Sequence, residues 1–277
     1  MTEQSKAPRG LDRGEHWTHR LFVEKPELYL PFLEEAADRA PAETEALHGL
    51  FEQERVPANG RVLDVACGLG RHALLLAQRG YDMVGVDISP LYVDKATDAA
   101  SKTGARARFV VGDMLDIKNL MADESPFDAI ISMFTSNGYY GRDGDLEQFG
   151  QLRRLAAPGA ALVVLTAHLE WMARNIEGPG LDRAGEIRIV QDRQLNLETS
   201  TLESEWSFFE GRGESLRLRL KLGMEHRVYN LPEFRELLEE AGWAFVTSFG
   251  SERETDCRLQ ELTPESKTMW VVARAGD

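Results

Sequence analysis

The chain has 277 residues, 43% hydrophobic and 28% charged, with a formal net charge of −14. This is globular rather than disordered composition, and the acidic balance disfavours a long basic nucleic-acid surface, because phosphate contacts need clustered Lys and Arg. Two cysteines, Cys67 and Cys257, leave no disulfide framework or multi-cysteine zinc site, and no metal is expected; no apolar run reaches the roughly 18 residues of a membrane span, and the first residues lack the apolar core of a secretory signal, so a cytoplasmic protein is the expectation.

Residues 1–14 are small and charged and read as a flexible tail. Pro26 to Arg55 reads as helical, with Pro31 and Pro41 each near the first turn of a helix; Leu47, Leu50 and Phe51 give the second an apolar stripe. The segment 15–58 is thus an N-terminal helical unit, and Asn59-Gly60 turns the chain. Strand–helix alternation follows: RVLDVA from Arg61, a helix from Arg71 ended by Gly80, and DMVGVD from Asp82. Ser89-Pro90 opens the next helix. Then come RFVVG from Arg108, FDAIISMF from Phe127, a helix over Asp145–Ala157 stopped by Pro158-Gly159, and AALVVLTA from Ala160. Apolar strands that do not alternate, separated by helices, predict a parallel sheet covered on both faces.

The period then changes. Leu195 and Leu197, Trp206 and Phe208, and Leu216, Leu218, Leu220 and Leu222 recur every second residue, which predicts half-buried antiparallel strands. The alternation occupies about 185–228, within an insertion taken as 175–228. Asn230 with Glu233 forms a capping-box pattern, followed by the stripe Leu231, Phe234, Leu237, Leu238 and Ala241 and by Gly242. Trp243–Phe249 and Thr268–Arg274 close the chain as strands.

Three signals fall at the carboxyl ends of successive strands, the ligand-binding edge of open α/β sheets. The first is Asp64-Val-Ala-Cys-Gly68-Leu-Gly70, whose glycines permit a sharp turn and close ligand approach, ahead of the free N–H groups of a helix start. By itself it also satisfies a dinucleotide fingerprint through Gly68, Gly70 and Ala73. The second is Asp87, a carboxylate placed to accept both hydroxyls of a ribose. The third is Asp113-Met114: a carboxylate that can accept the exocyclic amine of adenine, beside a soft apolar side chain.

With DVACGLG, Asp87 in VGVDIS, Asp113 in VVGDM and the FDAIISMF strand, the sequence resembles the class I S-adenosylmethionine-dependent methyltransferases over about 60–168 and again over 229–275. The resemblance implies an α/β, Rossmann-like seven-stranded sheet flanked by helices, formed by 59–174 and 229–277, with one antiparallel strand near its end. It implies S-adenosyl-L-methionine as cofactor and S-adenosyl-L-homocysteine as product. By that resemblance Gly68 and Gly70 line the methionine and ribose region, Asp64 helps place the ammonium group, Arg71 meets the carboxylate, Asp87 holds the ribose, Asp113 and Met114 the adenine, Met133 and Phe134 lie under the sulfonium, and Ile88 counts among the cofactor-binding residues. One departure is Ala66, where many members carry glycine. Cys67 reads as a small space-filling residue.

On the acceptor side, Asn137, Tyr139 and Tyr140 follow the fourth strand and His168 the fifth. His168 is the first choice for a general base, because its ordinary pKa lies near neutrality. Trp17, Phe22 and Tyr29 precede the sheet, as a lid or as packing, and Arg227 and Tyr229 join the insertion to the last helix. The expected substrate pocket is therefore Trp17, Phe134, Asn137, Tyr139, Tyr140, His168, Arg227 and Tyr229. The leading function is transfer of methyl to N or O of a small molecule. Methylation of RNA or protein, a non-catalytic S-adenosylmethionine-binding protein and a nicotinamide oxidoreductase remain as alternatives. The insertion is either an acceptor wall or a homodimer contact, and its leucine row is either surface or core.

Overall fold

The computed structural model describes residues 16–176, 178–213, 215–251 and 257–276; the tail expected at 1–14 lies outside them. Five strands come first: β1 (Arg61–Val65), β2 (Asp82–Asp87), β3 (Ala107–Val111), β4 (Phe127–Ser132) and β5 (Ala156–Ala167). Four more follow within the expected insertion, β6 (Gly180–Ala184), β7 (Ile187–Asn196), β8 (Thr201–Arg212) and β9 (Ser215–Arg227), and then β10 (Trp243–Ser251) and β11 (Thr268–Ala275).

The main sheet has seven strands in the order β10-β11-β5-β4-β1-β2-β3, and β6-β7-β8-β9 form a separate four-stranded sheet. β1 to β5 pair in parallel, whereas β11 is antiparallel to both β5 and β10. This is the Rossmann-like seven-stranded sheet, with one antiparallel strand near its end, that the resemblance implies. The chain winds outward from β1 in one direction through β2 and β3, then returns to β4 on its other side. The crevice at β1 and β4 is therefore the switch point where such sheets take ligands.

Successive side chains of a strand face opposite sides, so a strand buried on both must be apolar throughout. Leu63, Val65, Val84, Phe127 and Ile130 pack on one face of the sheet, beneath the Gly141–Leu155 and Leu231–Glu240 helices. Val62, Met83, Ala129, Ile131 and Trp270 pack on the other, beneath the Ala40–Gln53, Arg71–Gln78 and Pro90–Thr103 helices. Asn230 caps its helix as expected, its Oδ1 accepting the Glu233 N–H at 2.8 Å. Ser89 occupies an N-cap position, but its side chain makes no cap bond. Strand β5 begins at Ala156, which pairs with Phe127, so Pro158-Gly159 falls in a strand irregularity rather than before the strand.

The second sheet has its own apolar layer. Ile187, Ile189, Phe208, Leu222 and Met224 pack against Trp17, Leu21 and Leu28 of the N-terminal segment. The expected single leucine row is split here. Phe208 pairs with Leu220 but Phe209 with Leu218, a bulge that places one extra residue on β9. Because facing alternates residue by residue, Leu220 and Leu222 turn inward, while Leu216 and Leu218 turn out and are 45% and 51% exposed. Leu197 lies beyond the end of β7 and is exposed.

Candidate active site

The loop after β1 turns through three residues with left-handed backbone: Ala66 (φ 55°), Gly68 (φ 56°) and Gly70 (φ 69°). The two glycines serve different ends. A Cβ at Gly70 would lie 2.5 Å from the Phe109 ring, so bareness there permits packing. A Cβ at Gly68 would meet nothing nearer than the Leu33 side chain at 3.8 Å, so bareness there leaves the backbone open to the space above it. Ala66 carries the strain that glycine would avoid. Ala66→Gly is expected to raise stability by about 0.5–1 kcal/mol, seen as a higher urea midpoint with unchanged slope.

Asp87 ties this loop to the tip of β2. Its Oδ2 accepts the Gly68 N–H at 2.8 Å and its Oδ1 accepts the Ser89 N–H at 2.9 Å. Each carboxylate oxygen retains a second lone pair. Burial pushes the Asp87 carboxyl up to about 6 against the pull of these two N–H groups. Asp64, 1% exposed at the end of β1, has one buried oxygen, Oδ2, with no hydrogen-bond partner. Burial pushes its carboxyl to about 7, opposed by the Arg71 charge and reinforced by Asp87. Asp113 opens a 3-10 turn, its Oδ1 accepting the Leu115 N–H at 2.9 Å. Phe134, just past β4, holds φ 76°, an outlier for a bulky residue.

A cavity of about 520 Å3 opens over these tips. Its floor includes Asp64, Ala66, Gly68, Asp87, Ile88 and Asp113, with Arg71, Met114, Met133 and Phe134 around them. Its volume falls in the roughly 300–1,000 Å3 range of small-molecule sites. Of the residues expected at the cofactor, Gly70 alone is absent from the lining, turned instead toward Phe109.

The expected acceptor residues divide. Phe134, Tyr139 and Tyr140 line the cavity. Asn137 does not: it is fully buried behind the loop, its Oδ1 3.3 Å from the Ser132 hydroxyl. Tyr229 is buried and donates its hydroxyl to Asp145 at 2.5 Å. Trp17 and Arg227 border a neighbouring groove instead. His168 is 3% exposed and faces away from the cavity lining: Nδ1 donates to the Ser266 carbonyl at 2.9 Å, and Nε2 sits 2.7 Å from a Glu170 carboxylate oxygen. Both ring nitrogens serve the structure around β5, so the expectation of a base there is corrected.

Two further groups of residues line the cavity, and of these only Phe22 and Tyr29 are expected near the site, as lid or packing. One comes from the N-terminal segment: Thr18, Phe22, Tyr29, Phe32, Leu33 and Arg39. Trp17 packs edge-on to Tyr139 with centroids 4.6 Å apart, and the Thr18 hydroxyl lies 3.0 Å from that of Tyr140, fastening the segment to the loop after β4. The other is the inner face of the second sheet, including Gln191, Arg193, Ser204, Trp206 and His226. His226 donates Nε2–H to the Asn137 carbonyl at 2.9 Å. Gly138 permits that contact, because a Cβ there would stand 2.0 Å from the Arg227 carbonyl oxygen.

The fit of an S-adenosylmethionine-type ligand rests on two features. Asp64 offers a buried acceptor without a partner, suited to an ammonium group, and Gly68 offers bare backbone beside Asp87. Comparisons with known proteins agree. Residues 62–159 match the family described as a methyltransferase domain. The 2-heptyl-1-hydroxyquinolin-4(1H)-one methyltransferase of Mycobacteroides abscessus is 35% identical over 54% of this chain and 63% of its own length. The crystal structure of an S-adenosylmethionine-dependent methyltransferase from Clostridium acetobutylicum superposes with a TM-score of 0.72 at 14% identity, covering 92% of this chain and 98% of that one. The S-adenosylmethionine-bound CalS10, an amino pentose methyltransferase from Micromonospora echinaspora, has a TM-score of 0.60 at 19% identity, covering 88% and 97%.

Proposed function

This chain is a class I methyltransferase that uses S-adenosylmethionine, and on that premise we propose that it methylates a nitrogen or oxygen of a small-molecule acceptor by in-line displacement. The observation that carries the reading is one continuous cavity. It runs from the strand tips to the inner face of the second sheet and is flanked by the N-terminal segment. Cofactor and acceptor sides thus share a space sized for small molecules. The activities named for the relatives, on a hydroxyquinolone and on an amino pentose, support the same class. Among the described residues no helix is long and apolar enough to cross a membrane, and no cluster of His, Cys, Asp and Glu could hold a metal.

When bound, the cofactor supplies a methyl group already activated by a sulfonium. The protein's residues then bind and align. Asp64 and Arg71 serve the charged amino-acid end, Asp87 the ribose, and Asp113 with Met114 the adenine. Burial raises the Cys67 thiol well above its ordinary range, so it fills space rather than reacts. Phe134 and Met133 shape the floor beneath the acceptor. Alignment of the nucleophile near about 3–3.5 Å supplies much of the rate, and the aromatic N-terminal segment excludes water. A base is needed only where the acceptor carries a proton at its reacting atom; His226 is the histidine of the acceptor wall.

The test is S-adenosylhomocysteine release over a metabolite library, with cofactor binding followed by calorimetry. Cofactor binding with no acceptor among small molecules, and turnover on RNA or protein instead, would overturn the proposal. On the acceptor that turns over, His168→Ala is expected to keep kcat/KM within a few-fold while lowering the melting temperature. His226→Ala is expected to lower kcat by about 10²-fold or more for an acceptor that must lose a proton.

A further inference from the structure

The second sheet presents to the cavity two buried hydrogen-bond donors, Arg193 Nε and Trp206 Nε1, for which the protein supplies no acceptors. Gln191 and Arg193 on β7 stand directly opposite Trp206 and Ser204 on β8. All four line the cavity, and their shared face puts them in one two-by-two block. Arg193 Nε and Trp206 Nε1 are both buried without any hydrogen-bond partner. Among the described residues the Arg193 side chain forms no ion pair or hydrogen bond, in a chain whose net charge is −14. Its guanidinium lies against the bare backbone of Gly180, where a Cβ would come within 2.7 Å of Nη2. Asp182, a carboxylate on β6 that also lines the cavity, accepts a hydrogen bond from the Gln191 side-chain amide.

A buried donor left unmade is costly, so orphans gathered on one wall of a ligand cavity point to a ligand that supplies acceptors. A guanidinium adds charge and a planar fork matched to a carboxylate or phosphate. We propose that Arg193, with the Trp206 indole N–H and the Ser204 hydroxyl, binds an oxyanion on the acceptor molecule. The enzyme's acceptors are then small molecules bearing a carboxylate or phosphate away from the methylated atom. This rests on the small-molecule reading above and adds the charge class of the acceptor. Tyr29, stacked on Trp206 with centroids 6.0 Å apart, supplies an apolar surface beside the anion.

The experiment uses the full chain saturated with S-adenosylhomocysteine. The probes, titrated by calorimetry, are 4-hydroxybenzoate and phenyl phosphate against the neutral 4-hydroxybenzamide. At least one anionic probe is expected to bind about 10-fold or more tighter than the amide, the worth of a charge-assisted bond. Arg193→Met is expected to abolish that preference and leave S-adenosylhomocysteine affinity unchanged. If Arg193→Met loses cofactor binding, Arg193→Gln carries the same comparison. Equal binding of the charged and neutral probes, or a preference that survives loss of the guanidinium, overturns the inference. Phosphate preferred over carboxylate, or the reverse, identifies which oxyanion is bound. Failure of wild-type protein to bind S-adenosylhomocysteine at all would strike the methyltransferase reading instead.

Discussion

Asp87→Ala lowers the affinity for S-adenosylmethionine by about 100-fold or more, measured by calorimetry. The size follows from two losses. The ribose hydroxyls lose a charged acceptor, each such bond being worth about 1.5–3 kcal/mol. The Gly68 and Ser89 N–H groups, held at 2.8 and 2.9 Å, lose the carboxylate that sets the loop. The same site predicts a pH dependence. Burial raises Asp87 to about 6 and Asp64 to about 7. A cationic ligand favours their charged forms, so affinity rises from pH 5.5 to 8 with proton release on binding. In the ligand-free protein the sign is opposite. Carboxyls raised above their unfolded values stabilise the fold most below pH 4, and that contribution is lost as pH rises through about 6–7. Asp145, raised by burial to about 7 beneath Tyr229, adds to this trend. Unchanged affinity in Asp87→Ala would remove the ribose assignment.

The second large effect is on stability. Glu43 comes from the Ala40–Gln53 helix and is 6% exposed. Its Oε2 lies 2.7 Å from both Arg71 Nη1 and His72 Nε2, and its Oε1 lies 3.8 Å from Arg39 Nε. Burial pushes the Glu43 carboxyl up, but the His72 hydrogen bond and the arginine charges outweigh it, so the net shift is downward. His72 is driven to about 4 by its own burial and by Arg71, so a neutral imidazole donates Nε2–H to an ionised Glu43. Glu43→Ala strands Arg71 without its carboxylate and leaves a buried imidazole donor unmet. Breaking such a pair costs about 3–5 kcal/mol. The urea midpoint and the melting temperature should both fall, the latter by about 6–15 °C. Glu43→Gln should cost less, because it keeps an acceptor. An unchanged midpoint in Glu43→Ala would mean that the network is incidental. Arg71 also lines the cavity, so cofactor affinity should weaken along with stability.

The residues that made the cofactor side legible act where they stand in the chain. Asp64, Asp87 and Asp113 each end an apolar strand. A strand end in a parallel sheet lies on one known edge, so their convergence follows from local pattern alone. Acceptor-side expectations fared differently. His168, Asn137 and Tyr229 also stand near strand or insertion ends, but position along the chain does not say which way a side chain turns. His168 turns toward Ser266 and Glu170, Asn137 packs behind its own loop, and Tyr229 reaches Asp145. Trp206 carried only a period-of-two signal, which marks a half-buried strand without naming its partner, and Arg193 and His226 carried no signal beyond lying in the alternating segment.

Sequence by itself determined the order of strands and helices, the two-sided burial of the main sheet and the row of carboxylates at its edge, because each of these is set by residues adjacent in the chain. Only the tertiary structure decided what roofs the cavity. The facing of β7, β8 and β9 depends on inter-strand register, and the extra residue opposite Phe208 and Phe209 reverses it along β9. The pairing of Glu43 with Arg71 and His72 was likewise invisible, since it joins a helix before the sheet to one after its first strand. Contacts of that kind are fixed by packing among distant segments, not by any local preference of the residues that make them.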